Sequence, residues 1–455
     1  MKRWIICLLF LGIMTAKLNA QHRIEIQIKG LRDSTFYLVN GFEKSYLALD
    51  TAKANSDGKI LFQGKKDLPL GFYILVQGNQ RIFDFLITSQ NFSVNTDKSD
   101  LYGKMEIVGS EEARQFAEFL RTVNEKGAKI QSAPANERPK LIADIDAFKK
   151  AFVQKYGQES LAANIVRINT EIIPPPYPAK PTAEDTIRHN EYLLKHYFDN
   201  VALEDERMMR TPFLGPVLES YLKIVEGPYS PDTLIKISDK LLDRTPPKSD
   251  QRKYVFSKIA QKFLSTEYLG KEAVYTHVAE KYMIRNAALW DSATVLRNFE
   301  YVYRMKKVLI GNTLKDLPMS DTLGRPVSLY QTKSKYILVM IYDPNCHHCQ
   351  ETTKKLVEDY PKLQAKGVKV FMACGVRGQE KDKKDWKKFI KDFKAQKFIH
   401  GYDNTSSIDF TNDYNTQTYP NVFLLDANYK ILANKKLDTE QYLNLINAEE
   451  KKRKK

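Results

Sequence analysis

Two cysteines separated by two histidines are the residues of this 455-residue sequence best suited to chemistry. The stretch Asp343–Cys349 is Asp-Pro-Asn-Cys-His-His-Cys, and it lies between a continuous apolar run and an amphipathic helical pattern. Two thiols at this spacing can form and break a disulfide. A helix N-terminus stabilises a thiolate, and the histidines add donors and cationic charge. We therefore expect Cys346 to attack as a thiolate, and Cys349, one turn further into the helix, to resolve the mixed disulfide.

Three other uses of the cysteine pair fit the sequence less well. A zinc site needs two further ligands, but the sequence has no second C-x-x-C, and His347 and His348 are too close together to complete a tetrahedron easily. A purely structural disulfide would close so small a loop that it removes little chain entropy. A single-cysteine peroxidase would have Thr three residues before Cys346 and Pro four before that Thr, where this chain has Asp343 and Val339. We expect neither a metal nor a cofactor.

The elements around the motif alternate between strand and helix patterns. The apolar run Tyr336–Tyr342 is typical of a strand buried on both faces, and Val368–Cys374 is a second such strand. Amphipathic helices are predicted from about Cys346 to Ala365 and over Lys383–Lys394. Cys374 ends its strand at the edge where active sites of parallel sheets collect. Its alternation with apolar neighbours favours a buried core cysteine over a third redox partner.

The front of the chain has two other patterns. From residue 21 to 108 apolar residues recur with period two, as at Ile24, Ile26 and Ile28, which favours an all-β sandwich. Residues 109–305 are predicted to form an all-α domain, interrupted by proline clusters at 174–176 and 246–247. We interpret the histidines of this region as surface or packing residues, because no second ligand stands at metal-site spacing beside them.

The two ends of the chain are predicted to lie outside the folded domains. Lys2 and Arg3 precede an apolar run of eleven residues, and the segment ends at Ala20, as in a secretory signal peptide. So short a run cannot cross a bilayer of about 30 Å. We expect cleavage after Ala20, loss of Cys7 and a soluble periplasmic product. Residues 449–455, Glu-Glu-Lys-Lys-Arg-Lys-Lys, are predicted to be a disordered basic tail.

Composition and charge exclude several classes of protein. A content of 43% hydrophobic and 28% charged residues excludes a disordered chain, and four cysteines are too few for a disulfide-stapled scaffold. The net charge of +16 falls to +13 without the first twenty residues. Residues 306–455 hold 28 basic and 18 acidic residues, so most of the surplus lies there. In an exported protein we interpret it as a solvated face and not as a nucleic-acid site; attraction to anionic envelope surfaces or acidic partners is the weaker alternative.

Residues 308–447 resemble a thioredoxin-fold domain of the TlpA type, an extracytoplasmic family that includes thiol reductases. The resemblance rests on the opening motif, a leading hairpin, the strand that runs into the cysteine helix, a proline before a later strand and a closing hairpin. The residues that carry it are Ile310-Gly311, Leu317-Pro318, Asp321–Leu329, Tyr336–Tyr342, Thr418-Tyr419-Pro420 and Asp426–Ile431. It implies an α/β thioredoxin fold over residues 306–448.

The resemblance also implies roles for individual residues. Pro420 is expected to be cis and to face the cysteines, so that the backbone of Tyr419 can pair with a substrate chain. His347 and His348 are expected to contact the substrate, and Cys346 and Cys349 to form the redox disulfide. The tryptophan usual before the first cysteine is Asn345 here, so substrate and redox potential are not carried over. The dipole and histidines favour an oxidising couple, whereas the family implies a reductase.

The front domains carry a weaker resemblance, to domains of unknown function that accompany such thioredoxin domains, over residues 22–108 and 190–285. We expect them to position a partner or to form a homodimer. The expected function is an exported thiol–disulfide oxidoreductase that acts on protein thiols or disulfides of the cell envelope and is recycled by a redox partner. The alternative is a non-enzymatic binding or scaffold protein with a thioredoxin fold.

Overall fold

A computed structural model describes residues 21–42, 45–376 and 380–453. The predicted signal peptide, its cleavage site at Ala20 and Cys7 therefore lie outside the described residues. The chain forms two compact units. The first comprises the chain up to Tyr221 together with Asp243–Tyr254, and the second comprises Leu222–Leu242 and the chain from Val255 onwards. No helix in the described ranges is long and apolar enough to cross a membrane.

The first unit begins with two four-stranded sheets. One has the order β4-β1-β7-β8 and the other the order β3-β2-β5-β6. In β1 buried isoleucines alternate with exposed or half-buried polar residues, so the strand buries one face, as its period of two predicts. The sheet-rich fold predicted for this region is confirmed, and the sandwich packing stays a prediction. The strands are β1 His22–Lys29, β2 Thr35–Phe42, β3 Ser45–Lys53, β4 Lys59–Gly64, β5 Gly71–Gln77, β6 Gln80–Ile87, β7 Asn91–Asp97 and β8 Glu106–Val108.

Helices make up the middle of the chain, as predicted, and they are divided between the two units. Their starts follow capping chemistry. Thr182 and Asp185 form a capping box at α4, and the Ser160 hydroxyl accepts the Ala163 N–H at α3. The helices are α1 Glu111–Ser132, α2 Arg138–Tyr156, α3 Leu161–Ile168, α4 Ala183–His196, α5 Leu214–Glu226, α6 Pro231–Asp243, α7 Asp250–Leu264, α8 Glu272–Val278 and α9 Ser292–Lys307, with 3₁₀ turns at Glu206–Arg210 and Ile284–Leu289 and a π turn at Ala279–Met283.

The second unit ends in a seven-stranded mixed sheet of order β10-β9-β13-β12-β11-β14-β15. The central strand β11 pairs in parallel with β12 and antiparallel with β14. This sheet and its helices confirm the α/β pattern predicted for the C-terminal region. Its elements are β9 Met319–Ser320, β10 Pro326–Val327, β11 Tyr336–Tyr342, α10 His347–Ala365, β12 Val368–Cys374, α11 Glu380–Asp392, β13 Ile399–Tyr402, α12 Phe410–Tyr414, β14 Asn421–Asp426, β15 Ile431–Ala433 and α13 Thr439–Arg453.

Two hydrophobic cores cover the two faces of this sheet. Every residue of β11 is buried. Alternate residues from Tyr336 to Tyr342 pack with Leu356 of α10, Trp386 of α11 and Ile446 of α13. The residues between them, such as Val339, belong to the core on the opposite face. Continuous apolar sequence was the right signal for this strand, because both of its faces are covered.

The prediction of a disordered tail from residue 449 is wrong over residues 449–453. Helix α13 continues to Arg453. Its last turns make ion pairs, two of them with residues far away in the sequence. Glu450 pairs with Lys335, and also with Lys366 at 3.5 Å, while Glu449 pairs with Lys452 at 3.7 Å. Residues 454 and 455 lie outside the described ranges.

Candidate active site

The cysteine motif lies where the buried strand β11 ends and helix α10 begins. The turn is built by Asp343, whose carboxylate accepts the Asn345 N–H at 2.8 Å and whose carbonyl accepts the Cys346 N–H at 3.1 Å. Asn345 also donates to the Asp385 carboxylate of α11 at 3.2 Å. The short loop between strand and helix is thereby fixed at both ends.

Cys346 is the N-cap residue of α10 and is half-buried. Its carbonyl accepts the N–H groups of Cys349 and Gln350 at 3.0 and 3.1 Å. Its thiol donates to the carbonyl oxygen of Tyr419 at 3.6 Å. The sulfur therefore lies at the positive end of the dipole of α10, and the residue is only partly buried.

Tyr419 and Pro420 face the cysteine pair from the loop before β14. Their peptide bond is cis, as the resemblance implied. The Tyr419 hydroxyl donates to the carbonyl of Gly375 at 3.0 Å. A Cβ at Gly375 would stand 2.6 Å from that same ring, so a glycine allows the close approach. The tyrosine ring is thus tied to the end of β12, and its carbonyl is directed at Cys346.

Cys349 is fully buried, one helical turn after Cys346. Burial raises the pKa of the Cys349 thiol. The Asp343 backbone N–H opposes that shift, whereas the neighbouring Cys346 sulfur and the Asp343 charge add to it. Both cysteines are free thiols, so the structure describes the reduced pair, and the predicted disulfide stays a prediction. The two thiols differ in the way that attack and resolution require, one accessible and one protected.

The two intervening histidines lie on the outside of the site. His347 and His348 are both exposed, and their ring centroids are 6.0 Å apart. The structure places them in the first turn of α10, beside the half-buried Cys346. They are positioned to meet an incoming molecule, and their predicted substrate contact stays a prediction.

Cys374 ends β12, beside Tyr342 in the parallel register of β11 and β12. It is fully buried, and its thiol donates to the carbonyl of Val376 at 3.4 Å. Burial raises its pKa to about 12, with smaller contributions from the charges of Asp343 and Asp382. These features are those of a core cysteine, which is the favoured sequence interpretation.

Two polar side chains beneath the cysteines were not singled out from the sequence. Tyr342 is the last residue of β11, and Trp386 lies on α11. Both are fully buried within the core that also contains Cys349 and Cys374. The apolar run and the amphipathic pattern contain these residues, but their polar atoms become informative only when the register of β12 is known.

No group of three or more His, Cys, Asp or Glu side chains that could hold a metal ion occurs within the described ranges. The histidines of the helical region have other contacts. His189 stacks on Tyr177, with centroids 4.5 Å apart. His277 lies 2.9 Å from an oxygen of Asp239.

Three family models match parts of the chain. Residues 334–431 match a family described as thioredoxin-like. Residues 22–116 match a domain of unknown function, DUF4369, and residues 157–309 match another, DUF5106. Comparison with curated proteins gave no significant match.

Solved structures similar to this chain come from several bacteria. A domain of a possible thiol-disulfide isomerase from Cytophaga hutchinsonii is 32% identical, with 32% of this chain and 96% of that chain covered and a TM-score of 0.29. A thioredoxin-like protein from Bacteroides caccae is 22% identical, with 61% and 98% covered and a TM-score of 0.48. The thioredoxin domain of a thiol-disulfide oxidoreductase from Bacteroides vulgatus is 26% identical, with 31% and 96% covered and a TM-score of 0.27.

The mixed sheet around β11, the helix that begins at the cysteine pair and the family match over residues 334–431 agree. The C-terminal domain of this chain belongs to the thioredoxin-like family.

Proposed function

We propose that this chain is an exported thiol–disulfide oxidoreductase that exchanges disulfides with protein substrates through Cys346 and Cys349. The observation that carries the proposal is the contrast between the two sulfurs. Cys346 is accessible at a helix N-terminus, and Cys349 is buried one turn away. In a pair of this kind a substrate can reach the Cys346 sulfur, while the Cys349 sulfur is protected until the mixed disulfide has formed.

The proposed exchange needs no external cofactor. The Cys346 thiolate attacks one sulfur of a substrate disulfide, so that a mixed disulfide forms and a substrate thiolate leaves. Cys349 then attacks Cys346, which closes the Cys346–Cys349 disulfide and releases the second substrate thiolate. Two electrons pass from the cysteine pair to the substrate, and a dithiol partner returns them in the reverse sequence.

Substrate docking is proposed at Tyr419 and Pro420. The carbonyl of Tyr419 already accepts a hydrogen bond from Cys346, so a chain that binds there is brought next to the attacking sulfur. Pro420 has no N–H, so the edge recognised by the substrate is the backbone of Tyr419. His347 and His348 are proposed to contact the same substrate from the first turn of α10.

The finer assignments belong to the proposal as well. The hairpin of β9 and β10 and the cis Pro420 support the TlpA-type branch. A periplasmic location is proposed from the first twenty residues of the sequence, and N-terminal sequencing of the exported protein is expected to start at Gln21. The front domains are proposed to hold a partner or a second copy of the chain, which light scattering of the purified protein tests.

Trapping with Cys349→Ser tests the function. The variant keeps the attacking thiol but cannot resolve, so mixed disulfides with other envelope proteins are expected to accumulate and to disappear on reduction. The matched control is the double variant Cys346→Ser/Cys349→Ser, which is expected to give no adducts. Equal adduct levels in the two variants would show that Cys346 is not the attacking group, and would favour a scaffold role.

A further inference from the structure

Two buried polar groups in the core that contains Cys349 have no hydrogen-bond partner among the described residues. They are the hydroxyl of Tyr342 and the indole N–H of Trp386. Both side chains are fully buried. A buried donor that makes no hydrogen bond costs roughly 1–3 kcal/mol, so such groups are uncommon and call for an explanation.

The fold brings these groups to the cysteines. Tyr342 and Cys374 are register partners on adjacent parallel strands, so their side chains lie side by side on one face of the sheet. Cys349 of α10 and Trp386 of α11 pack in the core that covers that face. The Tyr342 hydroxyl is therefore part of the layer on which the resolving cysteine rests.

The electrostatics show that the hydroxyl keeps its proton. Burial raises the pKa of Tyr342 well above its ordinary value, and negative charge on Cys374 or Cys349 would raise it further. The indole N–H of Trp386 opposes this shift from beside the hydroxyl, although the two do not meet hydrogen-bond geometry. Tyr342 is thus a hydrogen-bond donor that is not committed to another acceptor in the described part of the chain.

A further hydrogen-bond donor beside Cys349 favours resolution. Cys349 must become a thiolate before it attacks, but its surroundings disfavour that charge. In the reduced pair, Asp343 from the loop and Cys346 both disfavour a negative charge on Cys349. In the mixed disulfide Cys346 is uncharged, so burial and the Asp343 charge are what oppose the Cys349 thiolate. Asp382 of α11 and Asp343 act in the same sense on neighbouring Cys374.

We propose that Tyr342 is a catalytic residue for resolution, whose hydroxyl donates a hydrogen bond to the Cys349 sulfur as that sulfur becomes a thiolate. The inference rests on the proposed function. In this step Cys349 loses its proton, the bond between Cys346 and the substrate sulfur breaks, and the Cys346–Cys349 bond forms. The released substrate thiolate takes up a proton, so atoms and electrons balance without a further reactant. Trp386 keeps the hydroxyl next to the reacting sulfur.

The test compares Tyr342→Phe with Tyr336→Phe in the full chain. Both variants lose one hydroxyl from the same buried face of β11, but Tyr336 lies at the opposite end of the strand. Cys346 is first converted to a mixed disulfide with glutathione, and the release of glutathione by Cys349 is followed from pH 6 to 10. Tyr342→Phe is expected to slow release roughly tenfold near neutral pH and to raise the apparent pKa of release by about one unit.

Two controls keep the outcomes distinct. Alkylation of Cys346 is expected to proceed at the wild-type rate in both variants, which shows that the site is folded and that any effect of Tyr342→Phe is confined to resolution. If Tyr342→Phe releases glutathione at the rate of Tyr336→Phe over the whole pH range, the inference is overturned while the proposed function stands. If the wild-type protein itself does not release glutathione, the proposed function fails first.

Discussion

Strand β1 of the front sheets and strand β11 of the C-terminal sheet are buried in different ways. In β1 buried residues alternate with exposed or half-buried ones, so one face of the strand is free of the core. In β11 all seven residues are buried, and separate cores cover its two faces. A strand of the second kind has no position along its length for a solvent-accessible reactive group, so such groups are confined to its ends.

The position of the cysteines follows this difference. Strands β11 and β12 are parallel, so their carboxyl ends lie at the same edge of the sheet. Cys346 follows the end of β11, and Cys374 is the last residue of β12. The front sheets, in contrast, contain no cysteine in their sequence between residues 22 and 108. The comparison teaches that full burial of the central strands concentrates chemistry at one edge.

The largest effect is expected from removal of the attacking sulfur. Cys346→Ser is expected to reduce thiol–disulfide exchange by the full chain to the uncatalysed rate, because no other described cysteine is accessible. Cys374→Ser is the matched control and is expected to keep activity close to wild type. Reduction of a protein disulfide in a coupled assay measures both. Strong loss in Cys374→Ser but not in Cys346→Ser would place the chemistry elsewhere.

Neighbouring substitutions test the burial pattern itself. In β11, Ile337→Ala and Leu338→Ala are each expected to lower the free energy of unfolding by about 2–5 kcal/mol, because consecutive residues face different cores. In β1, Ile24→Ala is expected to lower the free energy of unfolding by a similar amount, because Ile24 is buried. Arg23→Ala is expected to change it by no more than about 0.5 kcal/mol, because Arg23 is exposed. Chemical denaturation measures all four. A small effect at Ile337 or Leu338 would break the comparison.

A buried histidine is expected to make the C-terminal sheet acid-sensitive. His400 of β13 donates from Nε2 to the Ala395 carbonyl at 2.8 Å, and burial lowers its pKa to about 4. Between about pH 6.5 and 4, His400 is therefore protonated in the unfolded chain but neutral in the folded chain. Stability is expected to fall by about 3 kcal/mol as the pH drops through that window.

His400→Gln is the matched variant for this prediction, because its amide can still donate to the Ala395 carbonyl but does not titrate. Unfolding measured at several pH values should show a shallower decline in the variant than in the wild type. An equal decline in both would mean that other groups carry the acid sensitivity.

The smallest effect is expected at the last turns of α13. Glu450→Gln removes the ion pairs with Lys335 and Lys366 but keeps the side-chain length. Exposed pairs contribute little to stability, so the melting temperature should not change measurably. Hydrogen exchange should nevertheless become faster over residues 449–453. Unchanged exchange there would show that the helix end does not depend on these pairs.

The parts of the molecule that follow from local pattern could be predicted from the sequence. The period-two pattern predicted that β1 buries one face, and the continuous apolar run predicted that β11 is buried on both faces. The position of the cysteine pair at the start of α10 could also be predicted, because the strand, the motif and the helix follow one another directly in the sequence. Strand β3 does not follow this rule, because its Leu47 and Leu49 are exposed and its apolar residues do not mark a buried face.

Features that depend on distant partners could not be predicted. The end of α13 is held by Lys335, which precedes it by more than a hundred residues. The link between Tyr419 and Gly375 depends on the approach of two loops. Tyr342 appeared to be one more apolar position, and its unpartnered hydroxyl is evident only beside Cys374 and beneath Cys349.

Equilibration of the full chain with glutathione tests the central claim most directly. The account predicts one two-electron transition in which Cys346 and Cys349 form a disulfide, identified by mass spectrometry, while Cys374 stays a thiol. A potential well above about −270 mV would assign the pair to oxidation or isomerisation, and one at or below it to reduction. The account is contradicted if no disulfide forms at any glutathione ratio, or if the one that forms contains Cys374.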